Sequence, residues 1–311
     1  MLHVRVIAPS ATTDRVLARL GSDPAVANVA VVRRAAPDGS ADLILFDIAR
    51  EAANPVLDAL HGLGVVEEGS ISLSEPSAVI GRAGERAERS APGHPSDGVV
   101  WHGIEERARD DSRMSWSFLV FLVLATLIAG VGRYLDQPIL IIGAMVVGPE
   151  FAPLSAICVA LVRRRPRIIG PAAVTLFGGF AIAISVALIL WFLASLTGAI
   201  DPQLATTGDQ TEFIVNPDGW SFAIALLAGV AGILSMTSAK SSALVGVFIS
   251  ITTVPAAATI ALTIAVGAWD EAGASAIQLG LNLLGLLIAG VATLAVQLAI
   301  GRLRRGGARR V

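Results

Sequence analysis

The sequence predicts an α-helical integral membrane bundle of six spans, arranged as a 3+3 inverted repeat with broken second and fifth spans, plus an N-terminal α+β ferredoxin-like (βαββαβ) domain. Three observations predict this fold class. The chain of 311 residues is 54% hydrophobic and 15% charged, with a mean hydropathy of +0.71, which is too apolar for a soluble globular protein. Six long apolar segments follow residue 115. The first 73 residues instead alternate short strand and helix patterns.

Residues 1–73 have the pattern of the small α+β domain. Period-two strands and helices alternate in the order βαββαβ, which is typical of a ferredoxin-like sandwich. A turn signal at Pro37-Asp38-Gly39 joins the second and third strands. We expect a structural or oligomerising role, with small-molecule sensing as the alternative, by analogy with the fold. No basic region followed by an apolar core opens the chain, so we expect this domain in the cytoplasm.

Three shorter regions are predicted from composition. Residues 74–98 are rich in Gly, Pro, Ser and charge, which predicts a flexible linker. Residues 99–115 regain helical character and bring arginines up to the first apolar segment, which predicts a juxtamembrane helix. Residues 302–311 form a basic cytoplasmic tail after the membrane domain of residues 116–301.

The six apolar segments are long enough, at about 18 to 30 residues, to cross a bilayer. They cover residues 116–133, 138–163, 168–197, 220–238, 242–268 and 273–301. Six crossings return the C-terminus to the cytoplasm, together with the basic residues that anchor this topology, Arg163, Arg164, Arg165, Arg167 and Lys240. The opposite side receives the acidic residues Asp201, Asp209, Glu212, Asp218, Asp270 and Glu271. Only Arg133 opposes the trend, and we expect a multi-pass protein of the inner (cytoplasmic) membrane.

The second segment contains the feature on which the functional prediction depends. Pro149 and Pro153 remove backbone donors near its middle, and Glu150 puts a carboxylate close to the centre of the bilayer. Pro255 lies near the middle of the fifth segment, so each half of the bundle has a broken central span. Such breaks are tolerated only where protein, water or a cavity satisfies the freed backbone groups. We therefore expect the break to face the interior of the bundle.

Glu150 has two interpretations. It could accept hydrogen bonds from backbone donors at the break and hold the break closed, or it could partner a transported ion or proton. The residues predicted to form a substrate or ion site with it are Met145, Gly148, Pro149, Pro153, Ser250, Thr252, Thr253, Pro255, Gln278 and Asn282. Helix packing is the competing explanation for each of the polar side chains taken alone.

Several other functions lack support in the sequence. No nucleic-acid footprint is visible, and the single cysteine, Cys158, excludes a disulfide framework and a cysteine metal site. We expect no cofactor and no metal. No HExxH, GxSxG or P-loop motif occurs, and the spans have no close carboxylate pair, so we do not expect an enzyme. The expected partners are the lipid bilayer, a small solute or ion, and further copies of the chain, because small-residue faces favour helix association.

Several motifs in the membrane half carry a family resemblance. They are Asp136, Ile142-Gly143-Ala144-Met145, Pro149 with Pro153, Gly246-Val247-Phe248-Ile249 before Pro255, and Asn282. With them, most of residues 116–300 resembles a prokaryotic membrane protein family that has domain of unknown function 389, the "uncharacterised hydrophobic domain". Two departures stand out, since many members have an apolar Pro-Leu-Met-Gly-Pro at 149–153 and a double proline at 254–255. The resemblance implies an integral membrane protein without an established substrate.

From these observations we expect an integral membrane transporter or channel for a small solute or ion, with a cytoplasmic regulatory or oligomerisation domain. The alternative is a membrane-anchored sensor or scaffold, whose soluble domain binds a metabolite or protein and whose bundle does not transport.

Overall fold

The computed structural model describes residues 1–91, 93–94, 98–208, 210–214, 219–238 and 252–308. These residues form two compact units. The first consists chiefly of Met1–Ile104, and the second chiefly of Glu105–Met236 with the described residues from 252 onward. A small four-stranded antiparallel sheet lies in the first unit, and four to five candidate membrane spans lie in the second.

The sheet of the first unit has the spatial order β2-β3-β1-β4, and every neighbouring pair is antiparallel. Its strands are β1 (Leu2–Pro9), β2 (Val26–Val32), β3 (Ala41–Ile48) and β4 (Ser70–Ser74). Helix α1 (Ser10–Gly21) connects the first two strands, and α2 (Ala53–Gly62) and α3 (Val65–Glu68) lie between the last two. Strand β1 lies between β3 and β4, and its residue Val4 is opposite Phe46 of β3 and Leu73 of β4.

The core of the first unit follows from the period-two pattern of its strands. Alternate residues of β1 point to one face and are almost completely buried. The same core takes side chains from α1, α2 and β3, and its largest members are Leu20, Ile44, Phe46, Ile48, Leu57 and Leu60. The alternation in the sequence therefore reports the face on which the two main helices pack.

The chain between α2 and β4 differs from the single strand predicted over residues 65–73. Gly64 adopts a left-handed conformation (φ 76°), which starts the short helix α3 before β4. Gly69 then passes so close to β1 that a Cβ atom there would collide with the backbone carbonyl of Ile7. Two glycines with special backbone requirements thus shorten the last strand to Ser70–Ser74.

Within residues 74–98, predicted as a flexible linker, the structure has a helix, α4 (Arg82–Ser90). The helix is stabilised locally by an i,i+4 ion pair between Arg89 and Glu85 at 3.2 Å, and Ala87 is buried. Its last turn also approaches the start of the chain, where the amino group of Met1 bonds Glu88 at 3.0 Å. Charge-rich composition predicted mobility here, but the charges are spaced to pair along a helix.

The first unit extends to the beginning of the next helix, α5 (Trp101–Asp111). Val100 belongs to the hydrophobic core of the sheet and is 6% exposed. Asn54 on α2 donates to the carbonyl of Val99 at 2.6 Å and accepts from the backbone N–H of Trp101 at 2.9 Å. A buried asparagine therefore ties this late segment to the sheet domain.

A truncation test follows from the packing of Val100. Its burial is worth about 1.5 to 3 kcal/mol, and each of the two hydrogen bonds of Asn54 about 0.5 to 1.5 kcal/mol. We expect a fragment of residues 1–73 to unfold in urea with about 3 kcal/mol less free energy than a fragment of residues 1–111. The matched control is Ile80→Ser in the longer fragment, because Ile80 is 98% exposed. Equal unfolding midpoints for the two fragments would contradict the assignment.

The second unit is helical. Its helices are α6 (Trp116–Tyr134), α7 (Pro138–Val147), α8 (Phe151–Arg163), α9 (Pro166–Ala173), α10 (Gly179–Leu196), α11 (Pro202–Thr206), α12 (Gly219–Thr237), α13 (Thr253–Ala265) and α14 (Trp269–Ala308). A π-helical turn, Val174–Gly178, joins α9 and α10 into one long element.

Four elements are each long and apolar enough to cross a membrane. They are Trp116–Tyr134, Pro166–Leu196, Gly219–Thr237 and Trp269–Leu303. The pair α7 and α8 makes a fifth candidate, bent by 51° at the break between the two helices. Helix α13 is apolar but has only 13 residues. These elements are those of a multi-pass membrane protein.

Helix α13 is the most deeply packed element of the described bundle. It contacts α6, α10 and α14 along its length, and most of its residues are buried. Small residues make this possible, because the run Ala256-Ala257-Ala258 lets neighbouring backbones approach. The helix that follows the predicted fifth-segment proline therefore lies inside the bundle.

Glycines create the close contact between α12 and α14. A Cβ atom at Gly285 would lie 2.8 Å from Cβ of Ala225 and 3.3 Å from the ring of Phe222. By contrast, Gly280 on the same helix has no atom within 4 Å of the position where its Cβ would be. Two glycines five residues apart thus have opposite packing requirements.

Alanine substitution at these two glycines is a matched test of the packing. Gly285→Ala forces α12 and α14 apart, and overpacking of this kind costs about 1 to 3 kcal/mol. Gly280→Ala enters open space and stabilises the helix by about 0.5 to 1 kcal/mol. We therefore expect a lower thermal unfolding midpoint in detergent for Gly285→Ala, and an equal or higher one for Gly280→Ala. The reverse order would refute the described contact.

Candidate functional site

The break between α7 and α8 is the centre of the candidate site. Helix α7 ends at Val147, Gly148 is extended (φ −65°, ψ 127°), and α8 begins at Phe151. The last bond of α7 runs from the N–H of Gly148 to the carbonyl of Ala144 at 3.1 Å. Pro149 cannot continue this ladder, because it has no N–H. The break therefore lies where the proline pattern predicts it, and Pro153 is buried in the first turn of α8.

Glu150 is the N-cap residue of α8 and is only 5% exposed. Its Oε1 atom accepts a hydrogen bond of 2.6 Å from the hydroxyl of Thr253. Its Oε2 atom is buried and makes no hydrogen bond to any residue that the structure describes. The same carboxylate packs against Gly148, where a Cβ atom would collide with Oε2. Glycine is thus required at the break for the carboxylate to fit.

Helix α13 begins at the same point. Thr253 is its first residue and is completely buried, so two helix N-termini, those of α8 and α13, meet at the Glu150 carboxylate. The exposed N–H groups of a helix N-terminus favour a negative charge. The local field at this junction therefore suits an anionic oxygen, although the side chain has no charged partner among the described residues.

Pro255, predicted near the middle of the fifth apolar segment, lies at the start of a described helix, and residues 239–251 of that segment and of the connection before it are outside the described residues. It is the third residue of α13, in the first turn, where the missing N–H of proline leaves no intrahelical bond unmade. Its carbonyl accepts a 2.9 Å bond from the hydroxyl of Thr259. Pro255 thus starts a helix. Several residues named from the sequence lie outside the described residues, namely Asp209, Asp218, Lys240, Ser250 and the motif at 246–249.

The other predicted site residues divide into two groups. Thr252 accepts a 2.6 Å hydrogen bond from the side-chain amide of Asn282, which connects α14 to the start of α13. Gln278, one turn earlier on α14, is 1% exposed, and its Oε1 atom has no hydrogen bond to a described residue. Met145 belongs instead to an apolar cluster with Ile141, Ile214 and Ala256. The structure therefore joins Glu150, Thr253, Thr252 and Asn282, and it uses the Met145 side chain for packing.

The predicted topology anchors lie at the other end of α8. Glu105 on α5 accepts hydrogen bonds from Arg163 at 2.5 Å and from Arg165 at 2.9 Å. Arg164 adopts a left-handed conformation (φ 55°) that ends the helix. Glu105 is 8% exposed, while the Arg165 side chain is 57% exposed, so the carboxylate is buried and the second ion pair is open to solvent on its arginine side. The basic cluster thus also fixes the juxtamembrane helix α5 to the end of α8.

Arg133 is a buried functional candidate that the sequence reasoning left as an exception to the topology rule. It is 1% exposed, and its guanidinium donates to the hydroxyl of Thr211 at 2.8 Å and to the carbonyl of Thr206 at 3.2 Å. The Thr211 hydroxyl in turn donates to Asp136 at 2.9 Å. Gly208 leaves space for the cluster, since a Cβ atom there would collide with Arg133. The sequence did offer a signal for this residue, because Arg133 is the one arginine on the side of the membrane that receives the acidic residues.

A metal site finds no support in the described residues, among which no group of three or more His, Cys, Asp or Glu side chains could hold an ion. Cys158 is buried against Gly290, which is the environment of a small packed hydrophobe. The chemistry of the site therefore depends on one carboxylate, hydroxyls, amides and helix termini.

Comparisons with known proteins agree with this picture of the membrane domain. The model of the family described as "Domain of unknown function (DUF389)" matches residues 145–288, which include the break, α13 and the polar part of α14. An uncharacterized protein of Methanocaldococcus jannaschii is 25% identical over 221 residues, which are 71% of this chain and 65% of that protein. The chain thus spans slightly less than two thirds of that relative's length. No solved structure matches the chain significantly.

The resemblance carried by the Ile-Gly-Ala-Met and Pro-x-x-x-Pro motifs is therefore confirmed, and residues 145–288 carry the domain of unknown function DUF389.

Proposed function

We propose that this protein is an integral membrane transporter or channel for a small solute or ion, with its transport site around Glu150. One observation carries the proposal. The carboxylate is buried at the meeting point of two helix N-termini, with one oxygen held by Thr253 and the other without a hydrogen bond to any described residue.

Membrane physics favours a transport site over a simple kink. Intramembrane acidic residues are rare and mark ion pathways or proton relays, because their burial is expensive. Secondary transporters place their substrate sites where half-helices end inside the bundle. A carboxylate that only held the break closed would be expected to use both oxygens, yet Oε2 of Glu150 has no described donor. The free oxygen supports a role toward an external ion, proton or polar solute.

We further infer six spans in a 3+3 inverted repeat. The lengths of corresponding helices support this arrangement, since α6 and α12 have 19 residues each and α8 and α13 have 13 each. In this arrangement α7 with α8 is the broken second span, and α13 is the second half of the fifth. We place these spans in the inner membrane. The positive-inside rule then puts both termini in the cytoplasm.

For the first unit we infer the ferredoxin-like topology and a regulatory or oligomerising role. The strand order β2-β3-β1-β4 with antiparallel neighbours supports the topology. Strand β2 is an edge strand with Val29 and Val32 exposed by 43% and 52%, which supports contact with a second copy of the chain. The small-residue helix faces of the bundle support homo-oligomerisation as well.

Flux measurements on matched carboxylate variants test the proposal. We expect proteoliposomes with the wild-type protein to pass at least one probe among Na⁺, K⁺, H⁺, Cl⁻, phosphate and small amino acids faster than protein-free vesicles. Glu150→Gln keeps the shape but removes the charge, and we expect it to slow that flux by about tenfold, or 1.4 kcal/mol of barrier. The control is Glu106→Gln, which removes an exposed carboxylate of α5.

Two results would count against the proposal. If no probe enters proteoliposomes with the wild-type protein faster than it enters protein-free vesicles, the proposed transport function is wrong. If flux is present and Glu150→Gln leaves it at the level of Glu106→Gln, the site assignment falls while transport stands.

A further inference from the structure

Four polar side chains lie on one face of α14. They are Glu271, Ser275, Gln278 and Asn282, separated by four, three and four residues, which is the spacing of a single helix face. Ser275, Gln278 and Asn282 are buried to 2% exposure or less. At 1.5 Å per residue the face is about 16 Å long, which is roughly half of a hydrocarbon layer.

Three atoms on this face lack hydrogen bonds within the described part of the chain. They are Oε2 of Glu271, Oγ of Ser275 and Oε1 of Gln278. Other helix serines behave differently, since Ser155 and Ser185 donate to carbonyls three and four residues back in their own helices. A buried polar atom without a partner costs about 1 to 3 kcal/mol, so water that bridges these atoms would be stabilised there.

Helix α13 lines the opposite side of this face with threonines. The two helices form a hairpin around Gly267, which has the left-handed conformation of a tight turn (φ 82°). Counted outward from Gly267, Thr263 and Glu271 are four residues away, Thr259 and Ser275 eight, and Thr252 and Asn282 fifteen, so sequence spacing matches these positions in pairs. The Asn282–Thr252 hydrogen bond fixes this register. Polar groups therefore face each other along the hairpin.

The two ends of the polar face meet the two buried charged groups described above. At one end, Arg133 lies within electrostatic range of Glu271, Asp136 and Glu212. At the other end, Asn282 bonds Thr252, and the adjacent Thr253 bonds Glu150. The excess of negative charge at the first end favours cations. Glu150 is the acceptor at the second.

We propose that the polar face of α14, from Glu271 to Asn282, is a hydrated path that carries protons between the Arg133 cluster and Glu150. The inference rests on the proposed transport function and names the proton as the species that reaches its site. Water molecules between the hydroxyls and amides pass the proton along. At the inner end, Oε2 of Glu150 accepts the excess proton from a hydronium ion of the water chain, which leaves a neutral water and a neutral carboxylic acid. On release, the acid returns the proton to a water molecule, and the carboxylate is restored.

The composition of the face favours a proton over a larger cation. The face presents single hydroxyl, amide and carboxylate groups along its length. The described residues also contain no group of three acidic or imidazole ligands to replace that shell. A proton needs no such group of ligands, because it passes along waters that are each held by a single polar group. One carboxylate is enough to accept it.

Thiol labelling tests whether the face is hydrated. In a Cys158→Ser background, the near-isosteric Ser275→Cys is compared with Ala289→Cys, which continues the same face of α14 beyond Asn282 and is 5% exposed. A charged methanethiosulfonate reagent is added to either side of proteoliposomes. We expect Ser275→Cys to react at least about tenfold faster than Ala289→Cys, because thiol modification follows water access. Equal rates would overturn the path, and Gln278→Cys serves if Ser275→Cys does not fold.

Proton uptake tests the transported species. Vesicles that contain a pH dye are driven by a potassium diffusion potential in sodium-free buffer. We expect wild-type vesicles to take up protons, Ser275→Ala to reduce the rate by about tenfold, and Ser185→Ala, an exposed serine of α10, to match wild type. No uptake without sodium, or equal rates for both variants, would overturn the proton path.

The two proposals fail in distinguishable ways. Flux of another probe that depends on Glu150, with Ser275→Cys as unreactive as Ala289→Cys, would remove the proton path and leave the proposed transport function. Absence of flux for every probe, protons included, would remove both.

Discussion

The hydrogen bond between Thr253 and Glu150 is the interaction on which the arrangement of the membrane domain depends. A charged side chain at the centre of a membrane helix costs about 2.5 to 3.5 kcal/mol on insertion scales. A hydrogen bond to a charged group returns about 1.5 to 3 kcal/mol, and each helix N-terminus about 0.3 to 1 kcal/mol. The threonine and two converging helix ends therefore offset the burial of the carboxylate. Without both helix ends in place, the buried Glu150 side chain would lose its hydrogen bond from Thr253.

This requirement explains features of the backbone that would otherwise be separate. Gly148 must lack a side chain, because the carboxylate occupies the space of its Cβ atom. Pro149 ends the hydrogen-bond ladder of α7, and Pro255 occupies a first-turn position in α13. Glycine and prolines thus accompany two helix N-termini that meet at the Glu150–Thr253 hydrogen bond. The bend of 51° between α7 and α8 is the geometric result.

Several parts of this arrangement were predictable from sequence, and the reasons are local. A proline followed by a carboxylate within an apolar run predicts a break with a buried charge, because both effects act within a few residues. Thr253 was among the residues grouped with Glu150, but no local pattern singled it out as the hydrogen-bond partner, because 103 residues separate the two and other hydroxyls compete for the role. The same limit applies to Arg133, whose exceptional position on the acidic side was visible while its contacts with Thr206 and Thr211 depend on tertiary packing.

In the first unit, local backbone details decide where some strands and helices begin and end, and these details are not visible in the sequence pattern. Alternation along β1 is a strong signal, because every second residue meets one core. Between α2 and β4 the decisive fact is the approach of Gly69 to Ile7, which no periodicity reports. In the region of α4, composition predicted a linker because apolar residues are few. The helix there depends on charge spacing and on Ala87, whose burial needs the rest of the unit.

The contrast between α13 and α14 bears on whether the buried polar groups serve packing or transport. On α13, Thr259 and Thr263 donate to carbonyls of their own helix, so their hydroxyls are satisfied without a neighbour. On the facing side of α14, Ser275 and Gln278 have polar atoms that no described residue satisfies. Polar groups that join helices would bond across the interface, as Asn282 does with Thr252. A row of unsatisfied atoms that begins near one buried charge and ends near another is instead what a path for water requires, and a packing role alone leaves its cost unexplained.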